Sequence, residues 1–203
     1  MKKVLFVFVF IFSFTFLHSQ DFEKIYRSMP FKDKMWCVQN YGCVLSAIEI
    51  SDEVMQVMDS LNKIKFLGGN TEGGKFDALR HIFWMYSLSS EIGEECSRRI
   101  GQIYENYGYY IYLTTENSGY DSVGMQMDLF NNELGILLSR KEIEKPLIIK
   151  TIEEIINSGQ AKVIKKSQSG ESLDVKYEVI PESEWKKQWN NRRVLVDSDF
   201  EKL

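Results

Sequence analysis

Polar residues replace apolar ones on one face of two predicted helices in the middle of the chain. One face of a helix carries residues at i, i+3, i+4 and i+7. The first face consists of Asp77, Arg80, His81 and Trp84. The second consists of Asp128, Asn131, Asn132 and Gly135. Because a core-facing stripe is normally apolar, this pattern predicts two helices that face each other, with polar groups that bind one another or a ligand.

The other helices are predicted from the 3.6-residue period and from residues that suit helix ends. Ser51 precedes two acids and is a suitable N-cap for a helix that stops before Gly68. Gly159 follows a strongly amphipathic run and is suited to the position just past its end. The predicted helices are 31–45 (interrupted near 40–42), 51–64, 75–90, 94–107, 123–139 and 147–157.

Loops and strands fill the remaining segments. Residues 68–74 contain four glycines and predict a turn that positions Asp77, with an anion- or metal-binding loop as the alternative. Residues 108–124 predict an ordered surface loop that could act as a lid, with a short strand at 109–113 as the alternative. The predicted C-terminal elements are a polar turn at 167–172, one helical turn at 184–190, and strands at 161–164, 175–180 and 193–196.

These elements predict a mainly α fold, a compact helical bundle with a short C-terminal β-strand and irregular tail. The helical domain is expected at 21–166, and residues 167–203 are expected to extend the same domain. A length of 203 residues is enough for one real core. The hydrophobic fraction of 44% and the charged fraction of 27% are typical of a folded domain rather than a disordered chain.

Residues 1–20 have the pattern of a secretory signal peptide. Lys2 and Lys3 precede the fourteen-residue apolar run 4–17, and cleavage is expected near Ser19 or Gln20. That run is shorter than the roughly 20 residues that span a bilayer, which favours cleavage over an uncleaved anchor. We therefore expect an exported protein of the bacterial envelope, periplasmic or extracellular, with no transmembrane helix after cleavage.

The charge of the chain argues against one class of partner. The formal net charge is −4, and it becomes −6 once Lys2 and Lys3 are removed. An acidic protein has no overall field that attracts nucleic acid. The expected partner is instead a small molecule, a lipid or another envelope component.

The cysteines give weaker expectations. Cys37 and Cys43 are six residues apart, so an oxidising compartment would permit a small disulfide loop, with two free buried thiols as the alternative. Cys96 is expected to be a small buried apolar residue. The chain lacks the second Cys/His pair that a structural zinc site requires.

The polar faces permit three interpretations, and the sequence leaves open whether the protein is an enzyme. In the first, His81 is a general base oriented by Asp77, as in a hydrolase that acts through water. The catalytic set is then His81, Asp77, Arg80, Glu105 and Asp128, and the substrate-binding set is Asn131, Asn132 and Trp84. In the second, a divalent metal ion lies beside His81, held by Glu105, Asp128 and Asn131. In the third, the polar residues form a buried structural network in a non-catalytic envelope or interaction protein.

The same residues resemble an uncharacterised bacterial domain-of-unknown-function family. Its pattern is D-A-x-R-H-x-x-W, then H-E, then M-D-x-x-N-N-x-x-G, and the similar segments here are 77–84, 104–105 and 127–135. The resemblance covers about residues 36–165 and implies a mostly helical domain, often secreted or on the cell surface, with no established activity. Tyr104 stands where the family has His, which implies that this member is inactive or uses Glu105 alone.

A looser resemblance is to secreted phospholipase A2 enzymes. These also place a His on a helix after a Gly-containing calcium loop, with an Asp on a facing helix. The acid that normally follows that His is Ile82 here.

Overall fold

The computed structural model describes residues 26–27, 29–114 and 119–200. The predicted signal peptide lies outside these residues. The main helices are α1 (Phe31–Gln39), α2 (Tyr41–Lys63), α3 (Lys75–Ile92), α4 (Glu94–Thr114), α5 (Ser122–Leu138), α6 (Ile148–Asn157) and the short α7 (Glu182–Trp185). Single 3-10 turns lie at Phe66–Gly68 and Lys145–Leu147, and the strands are β1 (Lys162–Ile164) and β2 (Leu195–Asp197). The prediction of a mainly α fold is confirmed.

Helix α3 lies at the centre of the bundle and packs against α2, α4, α5 and α6. Its apolar side chains are buried on more than one face, and those of Leu79, Ile82, Met85 and Leu88 are fully buried. A helix that is surrounded in this way must bury whatever its polar positions carry. This is why Asp77 and His81, at 5% and 2% exposure, are as inaccessible as the core around them.

Helix α5 approaches α3 unusually closely because Gly135 lies at their contact. A Cβ atom at this position would lie 2.3 Å from the carbonyl oxygen of Ile82. Only a residue without a side chain permits this distance between two helix backbones. The close contact holds the polar face of α5 against the polar face of α3.

The small sheet is attached directly to α5. Strands β1 and β2 are antiparallel, with Val163 opposite Val196, and both overlap segments predicted as strands. The Asn131 amide donates to the Lys162 carbonyl at 2.9 Å and accepts from the Lys162 amide nitrogen at 3.0 Å. At the start of α5, Asp121 caps the Val123 and Gly124 amides.

Two predictions in the first half of the chain are wrong. Helix α2 starts at Tyr41 rather than at Ser51, so Ser51 lies in mid-helix and is not an N-cap. Its hydroxyl donates to the Ala47 carbonyl at 2.6 Å. This bond to the carbonyl four residues earlier gives the serine hydroxyl a partner inside the helix. Val44, Ala47 and Ile50 are buried in this first part of α2, and tertiary packing therefore sustains the helix across the polar position.

Two further predictions about loops and strands are corrected. Residues 108–114 are the last two turns of α4, so the proposed lid loop, and the alternative strand at 109–113, do not exist there. The predicted strand at 175–180 is reduced to one isolated bridge between Leu173 and Val179. Gly159, in contrast, takes a positive φ of 80° just past α6, as predicted.

The cysteines pair differently from the expectation. Cys43 on α2 forms a disulfide with Cys96 on α4, with the two Cα atoms 6.5 Å apart. Cys37 is the free thiol, buried with its sulfur 4.0 Å from that of Met29. The disulfide therefore joins two helices that are distant in sequence, and Cys96 is not the simple buried apolar residue that was expected.

Candidate functional site

His81 is held in one tautomer by α5. Its Nδ1 atom lies 3.1 Å from Oδ1 of Asn132, which can only accept, so Nδ1 carries the proton. Its Nε2 atom lies 3.2 Å from Nη2 of Arg80, which can only donate. The imidazole is thus neutral, with the lone pair on Nε2 directed into the polar cluster.

Two carboxylates lie on the Nε2 side of His81. Asp128 Oδ1 is 3.2 Å from Nε2, and Asp77 Oδ1 is 3.7 Å from it. Among the described residues, Asp77, His81 and Asp128 form a group whose possible ligand atoms all lie within 4.8 Å of one another. Two helices at a close backbone contact therefore bring together three groups that commonly bind metal ions.

Asp77 also fixes the glycine-rich turn before α3. Its Oδ2 atom accepts the Gly73 amide hydrogen at 2.7 Å, and its Oδ1 atom accepts from Arg80 Nη2 at 2.5 Å. Gly73 has a φ of 68° and packs on Ile164, so the turn also contacts β1. The turn positions Asp77, because this carboxylate binds the Gly73 amide.

Several buried polar atoms around His81 have no hydrogen-bond partner among the described residues. They are Glu105 Oε1, Asp128 Oδ1 and Asn132 Nδ2. Buried polar atoms are almost always paired, and leaving one unpaired costs about 1–3 kcal/mol. The two carboxylate oxygens are acceptors that a proton or a cation would satisfy, whereas the Asn132 amide nitrogen is a donor that would need an acceptor.

Burial sets the protonation of this cluster. It raises the pKa of Glu105 to about 8, with Asp77 adding to the rise and Arg80 opposing it. Burial, with Glu105 and Asp77, also raises the pKa of Asp128 well above its usual value. Burial lowers the pKa of His81 to about 4, although Asp77 acts in the opposite direction. Burial therefore favours the neutral forms of all three groups, and for the two acids the neighbouring carboxyl groups add to this effect.

Arg80 is the only cationic side chain of the cluster among the described residues. Burial, the largest single effect, disfavours its charge, but Asp77, Tyr104, Asp128 and Glu105 together outweigh it, so the pKa of Arg80 is raised. Its side chain remains 33% exposed, whereas that of Asp77 is 6% exposed. The guanidinium therefore contacts the buried Asp77 while part of the Arg80 side chain remains exposed to solvent.

These shifts predict that, in EDTA, the free energy of unfolding falls as the pH rises from about 6.5 to about 8. Native Glu105 keeps a proton that the unfolded chain, with a pKa near 4.5, has already released, so rising pH favours unfolding. The slope is up to about 1.4 kcal/mol per pH unit for each proton kept. Below about pH 6.5 the effect of His81 opposes it, because the unfolded imidazole binds a proton that the native one, with a pKa of about 4, does not.

Urea unfolding between pH 5.5 and 8.5 measures this dependence. In Glu105→Gln, which keeps the shape and removes the titration, the fall above pH 6.5 should be reduced. A fall of the same size in both proteins would contradict the assignment to Glu105.

The three predicted substrate-binding residues, Asn131, Asn132 and Trp84, have different contacts. Asn132 contacts His81 directly, as described. Asn131 is fully buried, and both of its amide atoms bond to Lys162, so the structure gives it a role in attaching β1 and not the predicted metal or substrate contact. Trp84 donates to Ser51 at 2.8 Å and contacts Tyr104 edge to face, with ring centroids 5.3 Å apart.

A cavity of about 460 Å³ lies between α2, α3 and α4, next to the polar cluster. Arg80, His81 and Trp84 form one side of it. The opposite walls are mostly apolar and come from α2 and α4, and Tyr120 also lines the cavity. These walls could not be identified from the sequence, because the apolar stripes of α2 and α4 have the same pattern as those of any core-facing helix.

The chain was compared with known proteins. Residues 34–167 match the family described as a domain of unknown function, DUF6973. The chain belongs to this family. Among curated proteins none matches the chain, and none of the solved structures matches it either. Membership in the family therefore confirms the expected kind of domain and assigns no activity.

No helix in the described ranges is both long and apolar enough to cross a bilayer.

Proposed function

We propose that this protein is an exported hydrolase whose site binds a divalent cation through Asp77, His81 and Asp128. One observation carries the proposal. The Nε2 lone pair of His81 lies 3.2 Å from Asp128 Oδ1, a buried acceptor that has no donor among the described residues. Two acceptors at this distance repel each other unless a proton or a cation lies between them.

The distances suit a small divalent cation. Nitrogen and oxygen ligands lie about 2.0–2.2 Å from Zn²⁺, so two ligands of one ion lie roughly 3–4.4 Å apart. The separations of 3.2 Å and 3.7 Å from Nε2 to the two aspartates fall in this range. Imidazole is a ligand of Zn²⁺ and similar ions, whereas Ca²⁺ takes oxygen ligands, so we expect Zn²⁺ or Mn²⁺ to be preferred.

The surrounding residues suit hydrolysis. A divalent cation would polarise a bound ester or phosphoester oxygen and lower the pKa of a bound water. Asn132 keeps His81 in the tautomer that presents Nε2. Glu105 is the carboxylate we assign to proton transfer, since its Oε1 atom is buried and unpaired. In ester hydrolysis the water oxygen bonds to the acyl carbon, the ester C–O bond breaks, and the proton taken up by Glu105 passes to the leaving alkoxide.

A second candidate is a structural network in a non-catalytic envelope protein. The observation in its favour is that Arg80 Nη2 already contacts both Asp77, at 2.5 Å, and His81, at 3.2 Å. The guanidinium then supplies the positive charge that the first candidate assigns to a cation, and a protonated Asp128 donates to Nε2. Replacing Arg80 separates the two candidates.

Thermal unfolding in EDTA and with each of Zn²⁺, Mn²⁺, Mg²⁺ and Ca²⁺ tests the cation site. An ion at about 100 times its Kd stabilises the native state by about 2.7 kcal/mol, which raises the midpoint by roughly 5–10 °C in a chain of this size. We expect this rise in the wild type and in Asp59→Asn, an exposed carboxylate on α2 that serves as the control. Asp128→Asn should lose the rise.

Arg80→Met provides the deciding comparison. If the guanidinium competes with a cation, its removal should increase the midpoint rise caused by the ion. If the network is structural, Arg80→Met should lower the midpoint in EDTA and no ion should restore it. The second result, or an equal ion response in Asp128→Asn and Asp59→Asn, would contradict the proposal.

Two features support the proposed export. The pattern of residues 1–20 is that of a secretory signal peptide. The disulfide between Cys43 and Cys96 is typical of oxidising compartments outside the cytoplasm. Fractionation of the native host, with a non-reducing gel to detect the disulfide, tests this location.

A further inference from the structure

The cavity beside the polar cluster has a volume of about 460 Å³ and is partly open to solvent. Its walls are mostly apolar and include Val44, Ala47 and Ile48 on α2 and Ile100 and Ile103 on α4. Besides Arg80 and His81, its polar lining comes from Ser51, Asp52 and three tyrosines, Tyr104, Tyr107 and Tyr120. The apolar surface that such a cavity exposes to water is removed from water when an apolar ligand binds, which favours binding.

The disulfide holds the two apolar walls in place. Cys43 is next to the lining residue Val44 on α2, and Cys96 lies about one turn before Ile100 on α4. A covalent link at this point limits how far α2 and α4 can separate or collapse together. The cavity is therefore a built feature of the bundle, and its volume falls within the usual range for ligand sites.

The cavity has a polar side and an opening to the surface. The polar side carries the partly exposed guanidinium of Arg80 next to His81. Arg80 can only donate hydrogen bonds, so it suits a ligand group with acceptor oxygens. Met55 also lines the cavity and is 45% exposed, so the apolar part reaches the solvent there. A long apolar chain could enter there and place a polar head at Arg80.

We propose that this cavity binds a single long acyl chain whose head carries acceptor oxygens, such as a carboxylate, an ester or a phosphoester. The chain lies between α2 and α4, and the head lies at Arg80 and His81. The inference rests on the proposed function in one respect: a head at this position would lie next to the cation ligands and would be the group that is hydrolysed.

Binding of acyl probes to the protein expressed from its full-length sequence tests this inference. The fluorescent probe is cis-parinaric acid, and its displacement by palmitate, octanoate and palmitoyl lysophosphatidylcholine gives their affinities. We expect palmitate to bind at least about tenfold more tightly than octanoate, because its longer chain buries more apolar surface. Comparison of palmitate with the lysophospholipid identifies the preferred head.

A matched pair of variants on α2 locates the binding. Ile48→Trp places a large side chain in the cavity and should weaken probe binding at least about tenfold. Val57→Trp places the same side chain at a 38% exposed position that does not line the cavity, and it should leave binding unchanged. Circular dichroism and the midpoint in EDTA show whether both variants fold.

The outcomes separate the two proposals. If no acyl probe binds but the ion response is intact, the acyl site is overturned and the cation site is retained. The cavity is then filled by another part of the chain or by a different ligand. Equal binding by Ile48→Trp, Val57→Trp and the wild type also overturns it. Acyl binding that responds to chain length and to Ile48→Trp, without any ion response, supports the acyl site and overturns the hydrolytic proposal.

Discussion

Replacing Gly135 with alanine is expected to lower the free energy of unfolding by about 3 kcal/mol. The added Cβ would lie 2.3 Å from the Ile82 carbonyl oxygen and 3.0 Å from the Met85 Cβ and the Tyr86 amide nitrogen. Two of these atoms belong to the backbone of α3, so no side-chain rotation can relieve the contact. Either α5 moves away from α3, or the Ile82 carbonyl is displaced within the central helix.

The same change is expected to affect the site. A separation of α3 and α5 lengthens the bonds that join them, first among them the bond from His81 Nδ1 to Asn132. The variant should therefore also lose the midpoint rise caused by Zn²⁺ or Mn²⁺. Urea unfolding, with and without the ion, measures both effects.

Gly42→Ala is the matched control for this prediction. Gly42 is also helical, but nothing lies within 4 Å of an added Cβ there. Alanine is favoured over glycine inside a helix by up to about 1 kcal/mol, so this variant should be unchanged or slightly more stable. Equal losses in Gly42→Ala and Gly135→Ala would contradict the proposed close contact of α3 and α5.

Removing the disulfide with the double change Cys43→Ser and Cys96→Ser is expected to lower the free energy of unfolding by up to about 4 kcal/mol. The two cysteines are 53 residues apart in sequence, so the link closes a long loop in the unfolded chain. In the chain-entropy account, a longer loop gives a larger stabilisation of the native state.

Reduction provides the control for the double variant. A reductant should destabilise the wild type by about the same amount as the double change and should leave the double variant unaffected. Cys37 is buried and its pKa is raised to about 11, mainly by burial, so it should not replace either partner. A protein that loses no stability on reduction, or a mixed Cys37 disulfide in peptide mapping, would contradict the pairing of Cys43 with Cys96.

Any function of this site depends on how the negative charge of its three carboxyl groups is compensated. Asp77, Glu105 and Asp128 are close together and largely buried, and Arg80 supplies a single positive charge. Without further positive charge, protonation of Glu105 and Asp128 keeps the cluster near neutrality. A divalent cation would replace those protons, so ion binding should strengthen as the pH rises, in the same range where the protein without an ion loses stability.

Much of the helical architecture could be predicted from the sequence alone. The period of the polar residues identified α3 and α5 as facing helices, and it brought Asp77, His81, Asp128 and Asn132 into one proposed site. Gly159 marked the end of α6, and two of the predicted C-terminal strands overlap β1 and β2. These predictions succeeded because they depend on local spacing, which the geometry of a helix or strand converts directly into a shared face.

The remaining features were decided by tertiary contacts. Helix α2 continues through Ser51, and α4 continues through residues 108–114, because packing outweighs the local signals for a cap and a loop. Cys43 pairs with Cys96 because the bundle brings α2 next to α4, a distance that sequence spacing does not encode. Asn131 and Asn132 are adjacent in the sequence, yet one bonds to β1 and the other to His81. The sequence by itself determined which residues share a helical face, whereas the packing of the helices decided what each face contacts and left the apolar cavity beside His81.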